Sequence, residues 1–174
     1  HTRYWRDWSS DVCSSDLIID GYNLLHASGV FGADRGPRGF EQSRLALLDL
    51  LVDLLGESAA DTVVVFDAAR APDGLPARLT HAGIRVWFAR EYPDADSLIE
   101  ELVEADDAPG SLTVVSGDRR LQAAARRRRA TAISSDDWLA TMREERRRRR
   151  AQPDAKPPEP GPDDVEGWKR YFGL

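Results

Sequence analysis

An α/β fold with an open parallel sheet of about five strands, covered by helices on both faces, is the fold class that this sequence predicts. Short apolar runs of strand length alternate along the chain with longer segments of helical period. That alternation is typical of parallel strands buried between two layers of helices. Aspartates follow several of the apolar runs, and the carboxyl ends of parallel strands meet along one edge of such a sheet. The sequence therefore predicts an acidic site at that edge.

Residues 1–16 are predicted to form a leader outside the folded domain. They begin without Met, contain two of the five tryptophans and show no sustained period. They also lack the apolar segment of a signal peptide. The leader resembles the conceptual translation of a sequencing adapter, and an ordinary disordered leader is the alternative; we expect no function from it in either case. The single cysteine, Cys13, lies in the leader, so we expect no disulfide or cysteine metal site in the domain.

Five strands are predicted after the leader, each a short run rich in aliphatic residues and bounded by polar or turn residues. They are Leu17–Ile19, Thr62–Phe66, Ile84–Phe88, Leu112–Val115 and Thr131–Ile133.

Four helices are predicted between and after these strands. The clearest lies between the first two strands, where apolar residues repeat at spacings of three and four and Gly56 supplies a stop. Its repeating residues are Leu45, Leu48, Leu51, Val52 and Leu55. The other helices are predicted over about 94–105, from about 118 onward, and over 135–148. Ser135 or Asp136 is the expected N-cap of the last one.

The domain is predicted to cover residues 17–150. Residues 151–162 contain five prolines, which predicts a semi-rigid linker. Residues 163–174 form a short amphipathic tail that we expect to be helical and to dock on its own domain, rather than to bind a partner. No apolar run reaches the length of a membrane span, so a cytoplasmic protein without a membrane partner is expected.

The charges are unevenly distributed along the chain. The net charge is −6, yet residues 91–107 hold eight acids and no base, and residues 119–150 hold twelve arginines. An acidic total does not exclude a nucleic-acid partner when the basic residues are concentrated in one region. The alternative is that the arginines form solvated helix ends.

Four aspartates are candidates for the acidic site: Asp20, Asp67, Asp96 and Asp118. Ionised carboxylates in one pocket repel one another unless a cation or protonation relieves the repulsion. Oxygen ligands of this kind suit Mg²⁺ or Mn²⁺ better than zinc. A bound ion of this class activates water and stabilises charge on the leaving oxygen of a phosphodiester.

Each candidate has an expected role. Asp20, Asp96 and Asp118 are the predicted metal ligands, directly or through water. Asp67 is expected to ligate the metal or to position the water. Asn23 offers a donor and an acceptor three residues after Asp20, which suits a contact with the scissile phosphate or a metal-bound water.

Glu100 is a fourth candidate metal ligand because it lies one helical turn after Asp96, where two like charges repel unless a cation lies between them. The alternative for Asp96 and Asp118 is that each is a helix N-cap, for which aspartate is a preferred residue. Capping of that kind does not account for Asp20 and Asp67.

Contacts with a nucleic acid are expected from arginines and one tyrosine. Arg119 follows Asp118 directly, and Tyr22 is placed to stack on a base or to pack beneath a loop. Three more candidates flank the glycine-rich loop 32–39: Arg35, Arg38 and Arg44. A solvated loop is the alternative for this segment. The loop lacks the Gly-Lys-Ser/Thr ending of a P-loop, so no nucleotide cofactor is expected.

Four motifs in order carry a resemblance to a known family: Ile18-Ile-Asp-Gly-Tyr-Asn-Leu-Leu-His26, Val64-Val-Phe-Asp-Ala68, Asp94-Ala-Asp-Ser-Leu-Ile-Glu100 and Val114-Val-Ser-Gly-Asp-Arg119. Over residues 17–145 the chain resembles the YacP-like branch of the NYN domain family, which has a PIN-like nuclease fold. One departure from the family pattern is Gly117, where a serine or asparagine side chain is expected. Its loss removes a hydrogen bond near Asp118.

The resemblance implies a metal-dependent endoribonuclease. A bacterial member of the family acts on messenger RNA at the ribosome, so single-stranded RNA and the ribosome are the implied partners. The alternative is an RNA- or ribosome-binding adaptor that keeps the fold with weak catalysis.

Overall fold

Six strands form one sheet in the computed structural model, which describes residues 15–30, 37–71 and 73–152. The strands are β1 (Leu17–Asp20), β2 (Thr62–Phe66), β3 (Arg78–His81), β4 (Ile84–Phe88), β5 (Thr113–Val115) and β6 (Thr131–Ile133). Their order across the sheet is β3-β4-β2-β1-β5-β6. Neighbouring strands are parallel except for the antiparallel pair β3 and β4. The predicted α/β class and all five predicted strands are confirmed.

Within the described ranges, five α-helices accompany the sheet: α1 (Gly21–Ser28), α2 (Pro37–Leu55), α3 (Ala95–Ala105), α4 (Arg119–Arg127) and α5 (Ser135–Ala151). Two short 3₁₀ helices, Gly56–Asp61 and Ala68–Arg70, flank β2. None of the described helices is long and apolar enough to cross a membrane.

The sheet separates two hydrophobic clusters, because successive residues of a strand point to opposite faces. Ile19 of β1 belongs to the cluster that contains the leucines of α2 and Trp138 of α5. Ile18 belongs to the cluster formed with α3 and α4. Helices therefore cover both faces of the sheet, as the near-continuous apolar character of the strands predicts.

The chain divides into two compact units between Met142 and Arg143, within α5. The described part of the second unit is residues 143–152. Glu144 pairs there with Arg147 and Arg148, which both lie one turn further along the helix.

The central strand β1 lies between β2 and β5, and its pairing extends beyond its first residue. The Asp16 N–H donates to the Asp61 carbonyl at 3.0 Å, and the Asp16 carbonyl accepts from Thr113 N at 2.9 Å. Ser15 is buried, and its hydroxyl accepts from Arg85 Nη2 at 3.1 Å. The last two residues of the predicted leader thus contribute to the fold. Predictions for residues 1–14, and for the linker and tail from residue 153 onward, lie outside the described residues.

Besides the two 3₁₀ helices, two elements were not predicted, α1 and β3. The α1 sequence begins Gly-Tyr-Asn, and glycine and asparagine are common turn residues; the helix forms because Asp20 caps it and Leu24 and Leu25 are buried. β3 is a short edge strand whose residues are only exposed or half-buried, so it carries little apolar signal.

Two details differ from the predicted helices. The N-cap of α5 is Ser134, whose hydroxyl accepts from Asp137 N at 3.1 Å, and not Ser135 or Asp136. Leu45 of the predicted apolar repeat is 45% exposed, because the buried side of α2 is formed by Leu47, Leu51 and Leu54. The predicted stop at Gly56 is confirmed.

Candidate active site

Asp20 is a buried carboxylate at the C-terminal end of β1, 8% exposed. Its Oδ1 accepts from Asn23 N at 3.3 Å, which caps α1. Its Oδ2 accepts from the hydroxyl of the buried Ser116 at 2.9 Å. Burial raises the pKa of the Asp20 carboxyl, and the charge of Asp118 adds to this rise, while the hydrogen bonds from Ser116 and Asn23 oppose it.

Asp118 stands at the start of α4, one strand away from Asp20. Its Oδ1 accepts from Arg120 N at 2.6 Å, so it is the N-cap of α4. Its own N–H donates to Ser116 Oγ at 3.0 Å. The Ser116 hydroxyl therefore bridges Asp20 and Asp118, a role that the sequence analysis missed. The available signal was a serine two residues before an aspartate at a strand end, a common local hydrogen-bonding turn.

Asp96 lies in the first turn of α3. The N-cap of that helix is Asp94, whose Oδ1 accepts from Ser97 N at 2.7 Å and from Ser97 Oγ at 2.6 Å. Capping therefore does not account for Asp96. Partial burial, then the charges of Asp20, Asp118 and Asp94, raise the pKa of the Asp96 carboxyl to about 6. The carboxylates of Asp20, Asp96 and Asp118 thus lie close enough for their charges to interact, although they come from three different elements.

Asn23 connects three segments at this edge. Its Oδ1 accepts from Gly117 N at 2.7 Å and from the hydroxyl of the buried Ser135 at 2.6 Å. Two donors on one atom identify that atom as the amide oxygen and direct Nδ2 away from them. A Cβ on Gly117 would lie 3.2 Å from Asn23 Oδ1, so glycine leaves room for this contact. The departure at Gly117 therefore accommodates Asn23, while Ser116 Oγ supplies a hydrogen bond near Asp118.

Glu100 and Asp67 have local partners. The Glu100 carboxylate accepts from Arg120 Nε at 2.9 Å and from Arg120 Nη2 at 2.7 Å. Asp67 follows β2, and its Oδ1 accepts from Ala69 N at 2.9 Å, which caps a 3₁₀ helix. Asp20 and Asp67 are therefore both N-caps, so the prediction that capping does not account for these two residues is wrong. The structure does not bring Glu100 to the acidic site as an unpaired carboxylate.

Two of the residues expected to contact RNA are buried. The ring of Tyr22 packs edge-on against Phe66, with centroids 5.2 Å apart. The Arg44 guanidinium, on a residue only 3% exposed, lies over Phe66 and Phe88 at 5.8 and 5.2 Å from their ring centroids. Both side chains support the packing beneath the site and do not present a surface to RNA in this conformation.

Arg119 is exposed at the first position of α4, directly after Asp118. It is the one predicted RNA contact that the described residues place at the surface beside the acids. Arg35 and the side chain of Arg38 lie outside the described part of the chain.

The atoms at this edge of the sheet that could bind a metal ion are oxygen atoms of carboxylates and of one hydroxyl. Within the ranges that the structure describes, no three acidic, histidine or cysteine side chains are close enough to hold a metal ion directly. Mg²⁺ commonly uses one or two carboxylates and keeps several waters. The three mutually repelling carboxylates therefore fit a hydrated hard cation such as Mg²⁺ or Mn²⁺ better than zinc.

A mostly parallel α/β sheet with helices on both faces matches the PIN-like fold, a fold of the nuclease class. The sequence profile of the YacP-like NYN domain matches residues 17–163, and the chain belongs to that family. The resemblance stated from the four motifs is thereby confirmed. The match extends beyond residue 150, where we predicted the end of the domain.

Solved structures show the same likeness. The chain is 27% identical to Rae1 (YacP) from Bacillus subtilis, with 78% of each chain covered and a TM-score of 0.61. A tryptophan-to-leucine mutant of that protein gives 25% identity, coverage of 76% of this chain and 77% of the other, and a TM-score of 0.56. No curated protein sequence matches. Family and structural likeness together support a nuclease-like, RNA-related function.

Proposed function

We propose that this protein is an endoribonuclease that hydrolyses single-stranded RNA with Mg²⁺ or Mn²⁺. The observation that carries the proposal is the convergence of Asp20, Asp96 and Asp118: partial burial, and then the charges of Asp20 and Asp118, raise the pKa of the Asp96 carboxyl to about 6. Strongly shifted acids in one cluster are common at catalytic sites. A shared divalent cation offsets their repulsion.

Asp20, Asp96 and Asp118 would hold the ion, directly or through water. The ion, when bound, supplies an activated water and stabilises charge on the leaving oxygen. Asn23 presents its Nδ2 donors to the scissile phosphate, because Gly117 N and Ser135 fix its amide oxygen. Two contacts were expected for Asn23, one with the scissile phosphate and one with a metal-bound water, and the first is the one proposed.

Asp67 is the candidate that orients the attacking water, since only its Oδ1 has a described partner, Ala69 N. Arg119 would contact an RNA phosphate next to the cut. Contacts from Arg35 and Arg38, action at the ribosome and a cytoplasmic location stay predictions.

An RNA-binding adaptor with weak catalysis is the second candidate. The observation that favours it is the open arrangement of the acids, since no three of the described ligand-type side chains enclose a metal position. An adaptor would bind RNA equally well with and without a divalent cation.

A paired assay separates the two candidates. A labelled single-stranded RNA is followed by gel for cleavage and by fluorescence anisotropy for binding, in Mn²⁺, Mg²⁺ or EDTA. The nuclease proposal predicts cuts in Mn²⁺ or Mg²⁺ and none in EDTA. Equal binding in all three conditions without cleavage, on free RNA and on ribosome-bound message, would support the adaptor and contradict the nuclease.

A further inference from the structure

Arg120 joins the two helix starts that carry Asp96 and Asp118. Its main-chain N–H donates to Asp118 Oδ1 at 2.6 Å. Its guanidinium reaches across to α3, where Nε and Nη2 donate to the two oxygens of Glu100 at 2.9 and 2.7 Å. One residue therefore holds the α4 cap through its backbone and the α3 helix through its side chain.

The side-chain contacts of Arg120 surround the helical turn that contains Asp96. Nη1 lies 3.7 Å from Asp94 Oδ2, on the N-cap of α3. Nη2 lies 3.4 Å from Ser97 Oγ and also bonds Glu100. A planar guanidinium that bonds both oxygens of a carboxylate fixes orientation as well as distance. These contacts define the position of the first two turns of α3 relative to the start of α4.

Glu100 pairs with Arg120 in this arrangement, whereas the sequence predicts that Glu100 is a metal ligand. The lone pairs of the two Glu100 oxygens that face Arg120 accept its hydrogen bonds, so those lone pairs are not available to a metal ion. The pair is partly exposed, with 48% of the Arg120 side chain and 27% of the Glu100 side chain accessible. At that exposure an ion pair adds little to the free energy of unfolding. Its main effect is therefore to hold α3 in position relative to the start of α4.

We propose that Arg120 and Glu100 are a positioning pair that sets the separation of Asp96 and Asp118. The proposal rests on the proposed function, in which those two aspartates share a divalent cation. Arg120 acts through other residues and does not touch RNA. The side chain of Arg119, the adjacent arginine, makes no hydrogen bond or ion pair with the residues that the structure describes, so Arg119 provides a control of equal charge.

The test compares Arg120→Gln, Glu100→Gln, the double variant and Arg119→Gln. Free Mn²⁺ is measured by electron paramagnetic resonance in a metal titration, and RNA affinity is measured separately in EDTA. Loss of an outer-shell partner typically weakens metal binding about 10- to 100-fold. We expect about a 10-fold weaker Mn²⁺ affinity from each single variant of the pair, no further loss in the double variant, and no change with Arg119→Gln.

RNA affinity in EDTA is expected to show the opposite pattern, with a loss for Arg119→Gln and no change for Arg120→Gln. Weaker RNA binding by Arg120→Gln with unchanged Mn²⁺ affinity would overturn the proposal. So would a much larger loss of Mn²⁺ affinity from Glu100→Gln than from Arg120→Gln, because Glu100 would then be a ligand.

A metal-free measurement separates this proposal from the proposed function. Urea unfolding in EDTA gives a double-mutant cycle for Arg120 and Glu100. We expect each single variant to raise the unfolding equilibrium constant by about 2- to 5-fold, the range of an exposed pair, and the double variant to add nothing. If the wild-type chain binds no Mn²⁺, the metal proposal fails, and the positioning role toward a metal fails with it. If Mn²⁺ binds but the two effects on unfolding are additive, only the positioning pair is overturned.

Discussion

Gly21, directly after Asp20, makes close contact with a neighbouring strand. A Cβ at this position would overlap the ring of Phe66, which is fully buried and cannot move aside easily. We expect Gly21→Ala to lower the free energy of unfolding by about 1–3 kcal/mol, the usual cost of overpacking. Urea unfolding measures the change. Gly110→Ala is the control because its Cβ would meet nothing within 4 Å; equal effects of the two variants would contradict this account.

Asp96 is predicted to reduce the stability of the metal-free protein at neutral pH. Its pKa rises from 3.8 to about 6 on folding, so the folded state binds the proton more tightly than the unfolded state does. Ionisation therefore costs stability as pH rises from about 3.8 to 6, and the full cost remains above that range. Solvent screening reduces this cost to about 1 kcal/mol.

The variant Asp96→Asn should accordingly raise the Tm in EDTA at pH 7.5, by about 2–4 °C for a protein of this size. The difference should shrink as pH falls toward 4, where Asp96 is protonated in the folded state. Thermal unfolding across this pH range measures both effects. A lower Tm for the variant at neutral pH would show that the Asp96 charge is already compensated in the absence of metal.

Arg119 is predicted to contribute one phosphate contact. We expect Arg119→Gln to weaken RNA binding and to lower the slope of log affinity against log salt by about 0.7, the value for one contact on a single strand. Anisotropy titrations at several salt concentrations measure the slope. An unchanged slope would remove Arg119 from the RNA-binding surface.

At the residue scale, the sequence predicts the acidic residues of the site better than it predicts the residues that bond to the site residues. Asp20 and Asp118 can be recognised because each follows an apolar strand. Ser135 could not be recognised because its contact with Asn23 joins residues 112 positions apart. Glu100 was interpreted as a metal ligand because its spacing from Asp96 was visible, whereas the arginine that pairs with it comes from another helix.

At the element scale, the hairpin between β3 and β4 has an unfavourable turn residue. Ala82 and Gly83 form a two-residue turn with φ of 46° and 93°, a geometry that favours Asn-Gly. We expect Ala82→Asn to raise the free energy of unfolding by about 0.5–1 kcal/mol, because asparagine tolerates the left-handed region better than alanine does. Urea unfolding measures this, and a loss of stability would contradict the turn assignment.

Burial explains which elements could be predicted. Every residue of β2 is buried, so the strand stands out as a continuous apolar run. β3 lies at the edge of the sheet, where its one described partner strand is β4. A strand at this position forms with residues that are exposed or half-buried, so it lacks a continuous apolar run. α1 depends on long-range burial of Leu24 and Leu25 more than on helix propensity, and its first residues are typical of turns.

At the scale of the whole molecule, the topology determines where the charges meet. Crossovers between parallel strands return the chain to the same sheet edge, so acids far apart in sequence converge there. The net charge of −6 opposes RNA binding at long range, and a divalent cation at the acidic edge would reduce that repulsion. The cation of the proposed function would thus serve both catalysis and RNA binding.

Single-turnover cleavage of a labelled single-stranded RNA, free and in a stalled ribosome complex, tests this account most directly. The measurement compares the wild-type chain with Asp20→Asn and Asp118→Asn in Mn²⁺, with Asp107→Asn as an exposed control. Asparagine also caps helices, so both site variants should stay folded, as circular dichroism would verify. We expect each site variant to slow cleavage by about 100-fold and the control to leave it unchanged. Undiminished Mn²⁺-dependent cleavage by the folded Asp20→Asn and Asp118→Asn variants would contradict the proposed function.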